Sequence, residues 1–168
     1  VFDCDLDYSI IRECLRAKDK KKFLYTIEFF PEEGKYHYDG HRLCKVSFSP
    51  EESKKYANRC PKCKKPLTIG VLNRVAQLAD RKEGFRPKGA PGYKKLVELD
   101  KIIAEALNIK SRNSKKVQVE YKNLIEKLGT ELYILIDAPI EDIRKTSHAR
   151  IAEGVKRVRE GKLTIKPG

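Results

Sequence analysis

Residues 40–67 read GHRLCKVSFSPEESKKYANRCPKCKKPL, and the fold of the chain is organised around this stretch. It contains a His41-x2-Cys44 pair and a Cys60-x2-Cys63 pair, with 15 residues between Cys44 and Cys60. A two-residue spacer lets one tight turn direct two side chains at a single point, and two such turns supply the four ligands of a tetrahedral zinc ion. The spacing therefore predicts a structural zinc site of the ribbon type.

The fourth ligand of this site has more than one candidate in the sequence. His41 has the right spacing from Cys44, but His37 and Asp39 lie close by in the sequence and could take its place. The alternative to a zinc site is a set of three buried cysteines beside surface histidines. We expect His41, Cys44, Cys60 and Cys63 to bind the metal.

The composition favours a polyanionic partner. Lys and Arg number 37 against 24 Asp and Glu, which gives a net charge of +13 and a pI near 9.5. Such a charge attracts DNA, RNA or an anionic membrane surface. No apolar run reaches the roughly 20 residues of a membrane span, and no signal peptide is visible. We therefore expect a soluble, cytoplasmic protein.

The remaining cysteines and the first residue also carry information. Cys4 and Cys14 lie outside the zinc motif, and Cys14 falls on the apolar side of a helix, so it is expected to be buried. Five cysteines without a framework of pairs suit a reducing compartment. The chain contains no methionine and opens on Val1, and it is therefore interpreted as a piece of a longer protein.

The hydrophobic pattern predicts an α+β fold, with a zinc-ribbon-like subdomain followed by a small, mainly helical α/β subdomain. Ser49 and Glu52 form an S-x-x-E capping box at one helix start. Helices are predicted over residues 7–19, 49–58, 68–80, 97–107, 114–128, 139–145 and 147–160, and strands over 23–30, 43–48, 131–136 and 163–165. The helix over 68–80 is expected to bury one face, formed by Val71, Leu72, Val75, Ala76 and Ala79.

An aromatic loop precedes the first ligand pair. Tyr36 and Tyr38 alternate with His37 and Asp39, as in a short strand or hairpin. The simpler interpretation is that these rings pack on the zinc site. The alternative is that they form a surface that stacks on an unpaired base.

Two basic segments follow the zinc site. Residues 81–95, RKEGFRPKGAPGYKK, hold three glycines and two prolines, which argues against regular structure. The segment is either a solvated linker or a loop that follows nucleic-acid phosphates. The helix over 147–160 is basic on the side opposite its apolar face. The candidate nucleic-acid contacts in these segments are Arg81, Lys82, Arg86, Lys88, Arg150 and Arg157, to which Arg74, Tyr36 and Tyr38 are added.

The sequence contains no catalytic motif of its own. It has no G-x4-G-K-[ST], H-E-x-x-H, G-x-S-x-G or G-x-G-x-x-G, so neither a phosphate-binding loop nor a zinc-protease helix is present. A zinc ion held by four protein ligands has no open position for a catalytic water. We therefore assign no catalytic residue in this chain.

Long stretches of the chain resemble the archaeal and bacterial endonuclease Q family. They are TIEFFPEEGKYHYDGHRLCKVSFSPEES, CPKCKKPLTIGVLNRVAQLADRKEGFRPKGAPGYKKLV and SKKVQVEYKNLIEKLGTELYILIDAP, and the match continues through RIAEGVKRVREGKL. Cys44, Cys60 and Cys63 fit the zinc ligands of the family, and His41 fits the same cluster. Asn73 stands where a histidine is usual, and Lys45 stands where a glycine is common.

The resemblance implies that this chain is the non-catalytic portion of a larger enzyme. Members of the family have an N-terminal phosphoesterase domain of the PHP type with a catalytic metal cluster, followed by the zinc-containing region resembled here. They nick DNA on the 5′ side of uracil, hypoxanthine or an abasic site. The implied division is an upstream-domain tail over residues 1–30, a zinc-binding subdomain over 31–80, a basic linker over 81–95 and a C-terminal subdomain over 96–168.

Three interpretations of the function follow. The first is the DNA-binding portion of a repair endonuclease, with damaged double- or single-stranded DNA and the upstream domain of the same protein as partners. The second is a stand-alone zinc-ribbon module that binds nucleic acid without nuclease activity. The third is a structural domain that binds a protein partner.

Overall fold

The computed structural model describes residues 1–82 and 84–165, and the chain divides into two compact units. The first combines Val1–Phe29 with Pro91–Thr164 and is called the helical unit; the second, Phe30–Ala90 with Ile165, is called the knuckle unit. In chain order the elements are α1 (Tyr8–Ala17), β1 (Tyr25–Glu28), β2 (Asp39–His41), β3 (Val46–Phe48), α2 (Pro50–Lys55), α3 (Val71–Leu78), β4 (Gly92–Lys95), α4 (Leu99–Ala106), α5 (Lys115–Leu128), α6 (Glu131–Ile136), α7 (Ile140–Thr146) and α8 (Ala149–Arg159). The α+β fold class that the sequence predicts is confirmed.

The core of the helical unit lies between α4, α5, α6, α7 and α8. Apolar residues spaced three and four apart on each helix direct one face of it inward. The largest fully buried side chains are Leu99, Ile103, Val117, Leu124, Ile134, Ile143, Ile151 and Val155. The predicted burial of Cys14 on α1 is also confirmed.

The predicted strand over residues 131–136 is wrong, because these residues form the helix α6. Thr130 caps the helix by accepting a hydrogen bond from the Tyr133 backbone N–H at 3.3 Å. Glu131 then accepts bonds from the Leu99 N–H at 2.9 Å and the Tyr121 hydroxyl at 2.8 Å. A run of apolar and aromatic residues looks like a strand in isolation, but the cap and these two bonds favour the helix.

A short parallel sheet corrects the prediction that residues 81–95 lack regular structure. β1 pairs with β4, with Tyr25 opposite Gly92 and Glu28 opposite Lys95. The Lys94 ammonium lies 4.5 Å from the centre of the Tyr25 ring. Because 63 residues separate the two strands, no local turn signal marks the pairing. The strand predicted over 163–165 is not formed.

Arg159 is a structural residue rather than a member of the basic face of α8. Its guanidinium donates hydrogen bonds to the carbonyls of Ile134, Leu135 and Ala138 at 2.7 to 3.0 Å. These carbonyls lie at the end of α6, where backbone acceptors lose their partners within the helix. A cation at the end of a helix also interacts favourably with its dipole. Arg159 therefore connects α8 to α6.

The knuckle unit consists of two hairpins joined side by side. β2 and β3 form the first, with His41 opposite Val46, and a bridge from Arg59 to Pro66 closes the second. Gly40 and Thr68 exchange backbone hydrogen bonds of 2.9 and 2.8 Å, which hold the hairpins together. A Cβ on Gly40 would lie 2.5 Å from the Val46 carbonyl oxygen, so a glycine is required there.

Helix α2 connects the two hairpins and begins as the sequence predicts. Ser49 accepts a bond from the Glu52 N–H at 3.3 Å, and Glu52 accepts one from the Ser49 N–H at 2.8 Å. Both halves of the capping box are therefore formed, and Pro50 occupies the first helical turn.

Little apolar surface is buried in the knuckle unit. Among the apolar and cysteine side chains that the structure describes in this unit, those of Pro50, Cys60 and Leu67 are buried. The apolar face predicted for the helix over 68–80 is not buried, since Val71 is 60% exposed, Val75 53% and Leu78 64%. A unit with so small a core needs another source of stability, such as a bound metal.

No helix in the described part of the chain is long and apolar enough to cross a membrane.

We predict that Arg159→Ala lowers the free energy of unfolding of the helical unit by about 2–4 kcal/mol, because three carbonyls lose a charged donor. The matched control is Arg157→Ala, which removes an exposed side chain paired with Glu153 at 2.8 Å and should cost less than about 1 kcal/mol. Denaturant unfolding followed by circular dichroism measures both. Equal losses for the two variants would contradict the structural role of Arg159.

Candidate metal centre

The two hairpin turns bring four potential ligands together. His41, Cys44, Cys60 and Cys63 each offer one donor atom, and these atoms all lie within 4.8 Å of one another. Cys60 is fully buried, while His41 and Cys44 are half-buried. The described residues therefore contain a Cys3His cluster that could hold a metal ion.

One pair of donor atoms in this cluster has the spacing expected around a tetrahedral ion. The Nδ1 atom of His41 lies 3.6 Å from Sγ of Cys63. A Zn–N bond of about 2.1 Å and a Zn–S bond of about 2.3 Å, at tetrahedral angles, place the two ligand atoms about 3.6 Å apart. Three thiols and one imidazole are also among the usual ligand sets of structural zinc.

The thiols of the cluster differ in how readily they ionise. A hydrogen bond with the Cys63 thiol, followed by burial, raises the pKa of Cys44 to about 11. Burial also opposes ionisation of Cys60, but hydrogen bonds from the backbone N–H groups of Cys63 and Lys62 outweigh it and lower the pKa of that thiol. Since thiolates are the metal ligands, a bound cation would supply the charge that drives the remaining protons off.

Both ligand turns end in a left-handed residue. Lys45 follows Cys44 with φ of 52°, and Lys64 follows Cys63 with φ of 62°. This conformation costs an L-residue about 1–2 kcal/mol, which explains why a glycine suits the position of Lys45. The two turns are therefore alike in backbone shape, and each directs its ligands at the same point.

Asp39, a rival for the fourth ligand, has a different role. It is 1% exposed, and its carboxylate accepts hydrogen bonds from the Gly70 N–H and the Asn73 side-chain amide, both at 2.6 Å. Gln77 donates to the Asn73 side-chain oxygen at 2.9 Å. Gly70 begins helix α3 without a side-chain cap of its own, so Asp39 supplies one from 31 residues away.

His37, the other rival, also serves α3. Its carbonyl accepts a hydrogen bond from the Leu72 N–H at 3.0 Å, and its ring packs edge-on against Tyr38 at 4.7 Å between ring centres. A Cβ at Gly70 would lie 2.5 Å from this carbonyl oxygen, which explains the glycine. The four-donor cluster contains His41 and neither rival.

Asn73, at the position where the family resemblance implies a histidine, belongs to the same network. It is 5% exposed, and both polar atoms of its side chain are engaged by Asp39 and Gln77. Sequence reasoning missed this network, although the Asp39-Gly40-His41 run placed a carboxylate two residues before a ligand.

The two tyrosines of the aromatic loop are placed differently. Tyr36 is 70% exposed, whereas Tyr38 is half-buried against His37. Only the last part of this loop is extended, because β2 begins at Asp39. The structure therefore leaves one ring, that of Tyr36, open to a ligand.

The basic candidates in the knuckle unit are exposed. Arg74 donates to Gln77 at 3.1 Å, and the Arg81 guanidinium lies 4.7 Å from the centre of the Phe85 ring. Lys82, Arg86 and Lys88 are exposed as well. In the helical unit, Arg150 is exposed and Arg157 is paired with Glu153. His148 caps α8, since its Nδ1 accepts a bond from the Arg150 N–H at 3.1 Å.

The fold and the cluster place this chain among proteins in which two hairpin turns direct a Cys3His set at one point. The chain is also strongly basic. Comparison with known proteins finds a family model that matches part of the chain. The profile of the MJ0043 C-terminal domain matches residues 98–162. Uncharacterized protein MJ0043 of Methanocaldococcus jannaschii is 38% identical over 153 residues, which cover 91% of this chain and 19% of that protein.

Solved structures match nearly the whole chain. The crystal structure of the lesion-specific endonuclease PfuEndoQ from Pyrococcus furiosus matches with a TM-score of 0.83 and 32% identity, over 98% of this chain and 40% of that one. A structure of Endonuclease Q in complex with a 27-mer duplex substrate, with an abasic lesion at the active site, matches with a TM-score of 0.81 and 30% identity, over 98% and 41%.

The resemblance to the C-terminal region of endonuclease Q is therefore confirmed. The chain spans about a fifth of the length of the curated relative and about two fifths of the solved structures that it matches.

We predict that His41→Ala lowers the affinity for zinc at least about tenfold, because the variant removes one of four ligands. His37→Ala is the matched control and should keep wild-type affinity, since only its backbone carbonyl and its ring contact with Tyr38 are used. Zinc content after dialysis against a competing chelator measures both. If the His41 variant retains zinc normally, His41 is not the fourth ligand, and His37 or another residue takes that role.

We predict that Asp39→Asn destabilises the knuckle unit by about 2–3 kcal/mol, because one of the two donors at Gly70 and Asn73 then meets an amide N–H instead of an oxygen. Thermal unfolding of the zinc-loaded chain, together with amide exchange at Gly70, measures the effect. Asp80→Asn removes an exposed carboxylate from the same unit and serves as the control. An Asp39 variant as stable as this control would contradict the capping role.

Proposed function

We propose that this chain is the zinc- and DNA-binding portion of an endonuclease that nicks DNA 5′ of deaminated bases, such as uracil and hypoxanthine, or at abasic sites. The observation that carries the proposal is the match over 98% of the chain to a structure named as a complex with a duplex that bears an abasic lesion. The Cys3His cluster and the net charge of +13 agree with it independently.

In this proposal the metal has a structural role. Zinc bound by His41, Cys44, Cys60 and Cys63 would join the two hairpins that the bridge between Gly40 and Thr68 aligns. Four protein ligands leave no coordination position for water, so the chain's own residues bind and position DNA rather than cleave it.

The DNA-binding residues proposed are those that the structure leaves exposed. Arg74, Arg81, Lys82, Arg86 and Lys88 of the knuckle unit and Arg150 and Arg157 of the helical unit would neutralise phosphates. Tyr36 offers an open ring on which an unpaired base could stack, and Tyr38 would hold the loop in place.

The catalytic metal ligands are assigned to an upstream domain of the PHP type in the same protein. Residues 1–30 would form the tail that leads from that domain. Within this chain, residues 1–29 belong to the helical unit, through the pairing of β1 with β4. A stand-alone zinc module that binds nucleic acid is the second candidate, and the extent of the structural match disfavours it.

One pair of assays separates these two functions. The 168-residue chain should bind duplex DNA in a salt-sensitive way and cut nothing, whereas a protein that also carries the upstream domain should nick a uracil-containing duplex. Binding by the chain without nicking by the longer protein would favour the stand-alone module. No binding at low salt would contradict both.

We predict that replacing Arg86 and Lys88 together by Ala weakens binding about tenfold at low salt and reduces the salt slope by up to about two, because two phosphate contacts are lost. The loss should be equal for uracil-containing and undamaged duplexes. The matched control, Lys20→Ala with Lys21→Ala, removes the same charge from an exposed connector in the helical unit. Fluorescence anisotropy across a salt series measures all three proteins.

A selective loss for the damaged duplex would show instead that Arg86 and Lys88 read the lesion. If the Lys20 and Lys21 control weakens binding as strongly as the Arg86 and Lys88 variant, the loss of affinity comes from the lower net charge and not from specific phosphate contacts.

A further inference from the structure

A leucine is exposed between two of the metal ligands. Leu43 is 90% exposed, in the 3₁₀ turn Arg42–Cys44 that links β2 to β3. Its fractional exposure exceeds that of every other large hydrophobic residue described in the knuckle unit. A single exposed leucine is ordinary on a protein surface, so the surroundings of Leu43 decide whether it has a role.

The backbone under Leu43 is fixed on both sides. His41 pairs with Val46 at the end of the β2–β3 ladder, and the Lys45 N–H bonds to the Arg42 carbonyl at 3.0 Å. Lys62, from the second turn, donates to the Cys44 carbonyl at 2.8 Å. The flanking residues His41 and Cys44 are also two of the candidate metal ligands. Leu43 is therefore an apolar side chain on a short, anchored loop.

Both ligand turns are basic, and Leu43 lies in the first of them. The turn residues 41–45 and 59–65 contain no acidic residue and six basic ones, which are Arg42, Lys45, Arg59, Lys62, Lys64 and Lys65. In the part of the chain that the structure describes, none of the six forms an ion pair with a carboxylate. Lys62 and Arg59 bond to backbone carbonyls, which leaves their charge uncompensated.

We propose that Leu43 is a wedge that enters the base stack of a duplex at an interrupted step, while the six cations of the two turns bind the flanking phosphates. This inference rests on the proposed DNA-binding function and names a contact that the function alone does not require. Proteins that kink DNA insert leucine, phenylalanine or similar side chains between base pairs.

The chemistry of the surface favours DNA over a protein partner. A protein-binding surface is centred on clustered apolar and aromatic residues and is depleted in lysine at its core. Here one exposed apolar side chain belongs to a pair of turns that carry six cations and no acidic residue, a composition that complements a polyanion with an apolar interior. A step that lacks a base suits such a wedge, because much of the unstacking cost is already absent there.

Insertion of Leu43 would also explain how the metal contributes to DNA binding. Side-chain insertion requires a stiff support, since a mobile loop would lose conformational entropy on entering the duplex. Ligation of His41 and Cys44 would hold the loop in its binding shape before DNA arrives.

The test uses the zinc-loaded 168-residue chain and a duplex with 2-aminopurine next to an abasic site. Emission of 2-aminopurine rises when it unstacks, so saturating wild-type chain should raise it at least about twofold. Leu43→Ala should abolish most of the rise and weaken binding to this duplex about tenfold, the effect of losing the burial of most of a leucine side chain. The slope of affinity with salt should not change, because no cation is lost.

Two further variants control this result. Leu43→Gln keeps the length of the side chain and removes its apolar character, and it should behave as Leu43→Ala does. Leu6→Ala removes a leucine that is 98% exposed in the helical unit and should leave both emission and affinity unchanged. A zinc content near one ion per chain shows that the knuckle unit of each variant is folded.

The outcomes separate the wedge from the proposed function. If both Leu43 variants bind and unstack like the wild type, the wedge is overturned and DNA binding stands. If the wild-type chain fails to bind at low salt, both are overturned. If both Leu43 variants lose zinc, Leu43 supports the metal site and the wedge assignment is overturned.

Discussion

The convergence of one imidazole and three thiols within 4.8 Å is the constraint on which the knuckle unit depends. Among its apolar and cysteine side chains that the structure describes, Pro50, Cys60 and Leu67 are buried, which is too little to offset the entropy of ordering the segment from Phe30 to Ala90. Bound zinc would supply the missing free energy, because binding to a site that exists only in the folded chain is itself folding free energy. The helical unit differs, since its stability comes from a packed apolar core.

The metal cluster also organises what lies around it. The strand that leads to His41 carries Asp39, whose buried carboxylate caps α3 through Gly70 and Asn73. The turn between the first two ligands carries Leu43 and its basic neighbours. The same backbone thus connects the four-donor cluster to helix α3 and to the turn that carries Leu43. Loss of the donor residues would therefore disturb both.

Much of the candidate site is predictable from the sequence, because the signals that specify it are local. The spacing of His41, Cys44, Cys60 and Cys63 predicts the four-donor cluster that the structure forms, and Ser49 with Glu52 marks the start of α2, because both signals act within a few residues. The strand that the pattern predicts over residues 131–136 is wrong, since the bonds from Leu99 and Tyr121 to Glu131 come from distant segments. The pairing of β1 with β4, the capping by Asp39 and the three carbonyls held by Arg159 were missed for the same reason. The apolar stripe of Val71, Val75 and Leu78 has helical period, but no described element of the chain buries it.

The role of the metal in DNA binding is tested most directly by the affinity of the chain for an abasic duplex at low salt, measured before zinc removal by a chelator, after removal and after zinc is restored. We predict at least about a tenfold loss of affinity on removal of zinc, recovery on its restoration, and an intact helical circular-dichroism signal throughout. Unchanged affinity without zinc, in a chain shown to be metal-free, would contradict the claim that the metal-organised knuckle unit carries the DNA-binding surface.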